Sequence, residues 1–83
     1  MGRLSTKTKD ADARIGRAIR TQRQVKGASR ESLSKKIGVS PQQIQKYESG
    51  KNRVSVSTLC MIADALELQQ DYLFFKVTHD AKR

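Results

Sequence analysis

The tightest constraint on this chain is the run ESLSKKIGVSPQQIQKYESG at residues 31–50, which stops one helix and starts another within three residues. Leu33 and Ile37 stand four apart, as on one face of a short helix capped by Ser29 and favoured by Glu31 in its first turn. That helix cannot pass Gly38. Ser40 then offers an N-cap oxygen, Pro41 fits the first helical position, and Gln43 stands where a capping box needs it. Ile44, Tyr47 and Glu48 fall on one side of the second helix, and Ser49-Gly50-Lys51-Asn52 breaks it. With Gly38-Val39-Ser40 as the whole connection, the two helices must be short and sharply inclined to each other.

The rest of the chain supplies packing partners for this pair. From Asp12, residues Ile15, Ala18, Ile19 and Gln22 share one stripe, while Arg14, Arg17, Arg20 and Arg23 lie mostly off it, and Gly27 is a natural stop. Gly16 inside this helix costs about 1 kcal/mol relative to alanine, which close packing against a neighbour would explain. Ser55 caps a further helix with Leu59, Ile62, Ala63 and Leu66 at buried-stripe spacing. Leu68 to Phe75 adds a short fifth helix, whose Leu73, Phe74 and Phe75 are divided between closing the core and forming a dimer contact. No β-type alternation, repeat or glycine-rich phosphate loop is present. The expectation is an all-α, compact five-helix bundle over residues 12–75, preceded by a flexible basic arm at 1–11 and followed by a frayed tail at 76–83.

Composition narrows the function classes. Eighty-three residues and 9.3 kDa make one small domain. A single cysteine, Cys60, excludes an internal disulfide or a Cys-rich zinc site, and the single histidine, His79, stands in the tail. No nucleophile and base, paired carboxylates or metal-ligand set can be assembled, so the reading is a non-enzyme without cofactor or metal. No apolar run nears the roughly 18 residues of a membrane span, and MGRLSTKTKDADARIG lacks a secretory signal's apolar centre, so a cytoplasmic setting is expected. The charge is more telling. Residues 14–53 carry eleven Lys and Arg against two Asp and Glu, whereas the flanking segments nearly balance, within a net charge of +9. Such concentration points to a polyanionic partner and raises nucleic acid above a generic basic surface.

Two short helices joined by three residues have the layout of a helix-turn-helix, with Leu33, Ile37, Val39 and Ile44 as apolar pins. At 100° per residue, and with Ile44, Tyr47 and Glu48 inward, Gln42 and Lys46 point most directly outward, flanked by Gln43, Gln45 and Ser49. Glutamine pairs bidentately with adenine and lysine donates to guanine acceptors, so this face suits a DNA major groove. Gln43 has two readings: a base contact, or the capping-box partner of the Ser40 N–H.

The stretch from Ile15 to Phe74 resembles the lambda-repressor-like helix-turn-helix family, also called the Cro/cI or XRE type. The resemblance rests on the IG-then-basic opening, the GVS turn, I-x-K-Y-E-x-G, and L-x-x-I-A-x-A-L. It implies a five-helix bundle that binds a two-fold DNA operator as a homodimer in bacterial or phage transcription control, here read as a repressor. Residue by residue, it implies base reading by Gln42, Gln43 and Lys46, and phosphate contacts from Ser29, Arg30, Ser49, Lys51, Asn52 and Arg53. It also implies a structural salt bridge between Arg23 and Glu48. Departures are Arg30 in place of the usual glutamine, Pro41 where many members place a base reader, Ser34 for alanine, and Glu67 where a glycine often ends the helix. An alternative is an antitoxin or transcriptional co-regulator, whose main surface meets a protein partner such as a toxin; the Leu73–Phe75 end and Met61 permit it.

Overall fold

The computed structural model describes residues 2–69, with side chains from Lys7 onward. Its described residues form four α-helices and no strand: α1 (Gly2–Val25), α2 (Arg30–Ile37), α3 (Pro41–Ser49) and α4 (Val56–Ala65). The number is four, where the sequence pattern suggested five. Leu68 and Gln69, the start of the expected fifth helix, are not helical. The remainder of that segment, including Leu73, Phe74 and Phe75, lies outside the described residues, as does the tail at 76–83.

The helix caps follow local chemistry. Ser29, Ser40 and Ser55 each hold extended backbone angles and accept a hydrogen bond from the N–H three residues on, which satisfies one of the orphan donors of a helix start. Left-handed Gly38 ends α2, and its N–H bonds back to the Ser34 carbonyl. The end of α4 has the same device with a different residue. Glu67 adopts φ +58°, while the Glu67 N–H reaches the Asp64 carbonyl at 3.0 Å and the Leu68 N–H reaches Ala63 at 2.8 Å. These paired bonds are those of a Schellman turn, built here on a residue that pays a steric penalty for its left-handed angle. The turn folds Leu68 back toward Ala18 and Ala63, which is why α4 does not run on.

The largest departure from the sequence pattern is the start of α1. Residues 2–11, expected as a flexible arm, form its first turns. These residues lack apolar periodicity, so no buried stripe announces them. They also contain no proline, and a helix nucleated on the Ile15–Gln22 stripe gains one backbone bond for each residue it extends.

One core joins the four helices. Ile19 of α1, Leu33 of α2, Ile44 of α3, and Ile62 of α4 with Leu66 at its C-cap are buried together. α2 packs on both α3 and α4, and α1 lies along α3. The α1–α3 contact is backbone-close: a Cβ at Gly16 would collide with the carbonyl oxygens of Tyr47 and Glu48. Gly16 therefore supports the close packing that its helix cost suggested. α3 is held against this scaffold along one side, which leaves its other side open.

Candidate nucleic-acid interface

Pro41 opens α3, and the Ser40 Oγ accepts from the Gln43 N–H at 3.0 Å. Ile44 and Glu48 are buried and Tyr47 is half-buried, while Gln42, Gln45, Lys46 and Ser49 are exposed. Gln42, Gln45, Lys46, Ser49 and Lys51 line a single open concavity on the outer side of the helix. Gln42 and Lys46 thus sit on the free face.

Gln43 does not share that face. It is half-buried, and its Nε2 donates to Asn52 Oδ1 at 3.0 Å. Only half of the expected capping box forms: Ser40 caps the helix, but the Gln43 amide turns to the following loop instead of back to the Ser40 N–H. Asn52 is held on two more sides, its N–H by the Lys46 carbonyl at 3.2 Å and its Nδ2 by the Lys51 carbonyl at 3.1 Å. This side chain is a brace between helix and loop.

The C-terminal end of α3 is anchored by charge. The buried Glu48 carboxylate accepts from Arg23 Nε at 2.6 Å and Nη2 at 3.3 Å, and from Arg30 Nε at 3.0 Å. Arg23 Nη1 also donates to the Ala28 carbonyl at 2.8 Å. Arg23 is as buried as Glu48, and its bonds tie α1 to α3. Arg30 differs: its side chain is 39% exposed, so it reaches from the start of α2 to the same carboxylate while standing at the surface. Two guanidinium groups on one carboxylate leave a net positive charge there.

The remaining positions implied as phosphate contacts fall into distinct settings. Lys51 is exposed and borders the α3 concavity. Ser29 Oγ accepts from the Ser32 N–H at 2.9 Å. Ser49 Oγ donates to the Lys46 carbonyl at 3.2 Å and accepts from the Lys51 N–H at 3.3 Å. Both hydroxyls are used in local turns, and both residues remain exposed. Arg53 is 70% exposed and pairs with Asp12 of α1 at 3.5 Å. Ser29 and Arg30 share one end of α2, Ser49 ends α3, and Lys51 to Arg53 share the loop after it.

Besides the Gln43–Asn52 and Arg23–Ala28 bonds, three contacts at long range have no counterpart in the sequence reading: Arg30 on Glu48, Asp12 on Arg53, and Lys36 Nζ on the Ala65 carbonyl at 3.4 Å. Each joins elements far apart in the chain, and no spacing rule pairs them. A helical wheel places Gln45 on a flank of the outward face, with no advantage over Gln43. Among the described residues no group of three His, Cys, Asp or Glu side chains could hold a metal ion. No described helix is long and apolar enough to cross a membrane.

Short α2, a left-handed glycine turn, and α3 with one free face define a helix-turn-helix module. Comparison with known proteins agrees: a helix-turn-helix family profile matches residues 19–73. The chain belongs to the helix-turn-helix family, of the XRE type. An uncharacterized HTH-type transcriptional regulator of Rickettsia conorii is 45% identical over 74 residues, covering 89% of this chain and 59% of that protein. An uncharacterized transcriptional regulator in the ATPase CF(0) region of Rhodospirillum rubrum is 49% identical over 63 residues, 76% of this chain and 58% of that protein. The chain therefore spans less than two thirds of the length of these curated relatives. Among solved structures, the clp gene regulator ClgR from C. glutamicum shares the fold at TM-score 0.80 and 24% identity, over 84% of this chain and 91% of that one. The restriction-modification controller protein C.AhdI from Aeromonas hydrophila matches at TM-score 0.69 and 28% identity, over 74% and 92%.

Proposed function

We propose that this chain is the DNA-reading module of a transcription regulator, acting in the cytoplasm as a homodimeric repressor that occupies a two-fold operator. The observation that carries this reading is the free face of α3. Gln42 and Lys46 are exposed and border one open concavity, on a helix whose opposite side is buried and whose end is pinned by Glu48. Their amide and ammonium groups match the acceptor and donor pattern of adenine and guanine edges in the major groove. Lys51 beside that face, with Ser29 and Arg30 at the start of α2, Ser49 at the end of α3 and Asn52 and Arg53 in the loop, supplies polar and cationic groups for flanking phosphates. In a two-fold dimer the paired α3 helices would enter successive major grooves about 34 Å apart. No catalytic role is assigned to any residue.

Selection of bound duplexes from a random pool tests this directly. The expected product is a pair of inverted half-sites spaced by about one helical turn. Lys46→Ala and Gln42→Ala should reduce preference for the selected duplex over random sequence, each by roughly 5- to 150-fold. Arg53→Ala should weaken both duplexes alike and shallow the log-log salt dependence by about 0.9 if one phosphate contact is lost. Equal losses on both duplexes from all three variants would refute the division of roles, and binding with no sequence preference would refute the reading itself.

A further inference from the structure

Gln43 and Gln45 flank the outward direction of α3 at nearly equal angles, on opposite sides of Gln42 and Lys46, so helical geometry ranks neither above the other. The fold separates them. Gln45 is exposed and lines the concavity with Gln42, Lys46, Ser49 and Lys51. Gln43 is half-buried, is absent from that lining, and donates through Nε2 to Asn52 Oδ1 at 3.0 Å.

A glutamine that reads adenine presents its amide oxygen and one N–H together, in the plane of the base. The plane of the Gln43 amide is set by Asn52, and Asn52 is itself fixed by the Lys46 and Lys51 carbonyls. Turning Gln43 to a base edge would break the bond that fastens the loop after α3. Gln45 has no such tie. With Gln42, Lys46 and Ser49 it completes a strip at spacing i, i+3, i+4, i+7, the spacing of side chains that share one helix face.

We propose that Gln45 joins Gln42 and Lys46 as a base-contacting residue, and that Gln43 is a positioning residue that holds Lys51 and Asn52 in place for the phosphates. The assignment rests on the DNA-reading function proposed above and names which side chains carry it. It makes the two exposed glutamines adenine-selective and the lysine guanine-selective, so each half-site should hold two A·T pairs beside a G·C pair.

The experiment compares duplex selection by the full chain with selection by Gln45→Ala, Gln43→Ala and Asn52→Ala, after thermal melts establish that each variant is folded. Gln45→Ala should lose preference at one base pair per half-site, by roughly 5- to 150-fold, and leave the other positions unchanged. Gln43→Ala and Asn52→Ala should keep every base preference and weaken selected and random duplexes by the same factor. Because both remove the Gln43–Asn52 bond, and Asn52→Ala alone also removes the bond to the Lys51 carbonyl, the double variant should bind no worse than Asn52→Ala. If Gln43→Ala does not fold, Asn52→Ala removes the same bond from the loop side. A selected sequence unchanged by Gln45→Ala overturns the assignment, as does a base position relaxed by Gln43→Ala. If the wild-type chain selects no sequence at all, the parent reading falls and this assignment with it.

Discussion

Glu48→Gln tests the anchor of α3 with almost no change of shape. The Glu48 side chain is 2% exposed and takes two donors from Arg23 and one from Arg30. Glutamine keeps one acceptor oxygen but turns an N–H toward guanidinium groups that also donate, so at least one Arg23 donor loses its partner. Removing one member of a buried ion pair leaves the other charge uncompensated, at a cost of about 3–5 kcal/mol. A chain of this length has a total stability of about 4–12 kcal/mol, so the loss is a quarter or more of it. The melting midpoint should fall by roughly 12–40 °C, read by circular dichroism and cross-checked by urea unfolding. Arg23→Ala should cost a similar amount. Arg30→Ala should cost under about 1 kcal/mol, because Arg23 still holds the carboxylate and water screens the half-exposed guanidinium. Replacing the pair by Arg23→Met with Glu48→Leu should be milder than either single change, since no unpaired charge stays buried. The reasoning fails if Glu48→Gln melts within about 1 kcal/mol of wild type, or if Arg30→Ala proves as costly as Arg23→Ala.

Other substitutions probe separate contacts. Gly16→Ala should gain about 1 kcal/mol of helix propensity, yet its Cβ meets the Tyr47 and Glu48 carbonyls; a net loss of about 1–3 kcal/mol is expected in denaturant unfolding, and a stabilised variant would refute the close approach of α1 to α3. Glu67→Gly should raise stability by roughly 0.5–1 kcal/mol, because glycine takes the observed φ of +58° without a side-chain penalty; a lower melting midpoint would contradict that account. Asp12→Asn should change stability by less than about 1 kcal/mol, given the exposure of Arg53. The same variant should tighten binding to selected and random duplexes equally at low salt, as measured by fluorescence anisotropy, and a gain confined to the selected duplex would count against a phosphate role for Arg53.

The parts of the fold legible in the sequence are those with a local cause. Ser29, Ser40 and Ser55 announce three helix starts because a side-chain oxygen one position before a helix has a definite donor to satisfy. Gly38 and Gly50 announce two ends through left-handed angles. Ile19, Leu33, Ile44 and Ile62 declare themselves through spacing, and all four are buried. The beginning of α1 has no such signal, since residues 2–11 carry no apolar residues at the i, i+3, i+4 spacing that would imprint a period of 3.6. The end of α4 was obscure for a different reason: Glu67 occupies a left-handed site that pattern reading reserves for glycine or asparagine.

The candidate site divides along the same physical line. Ile44 on the inner side of α3 follows from its residue type and spacing, whereas Glu48, a charged residue, follows only from its spacing and from the Arg23 partner that the family resemblance implies. Gln42 and Lys46 on the outer side have no competing demand within the described fold, and their exposure also follows. Gln43, Arg30 and Arg53 stand between these limits. Each can serve an internal partner or an external one, and alternatives worth a net of about 1 kcal/mol per hydrogen bond are decided by where Asn52, Glu48 and Asp12 arrive from elsewhere in the chain. For the surface arginines Arg30 and Arg53, the proposed function would exchange that contact for a phosphate, while Gln43 keeps its bond to Asn52. Under the proposed function, Arg30 and Arg53 would be held on a carboxylate until a phosphate competes for them, whereas Arg23 is buried and bonded at three nitrogens.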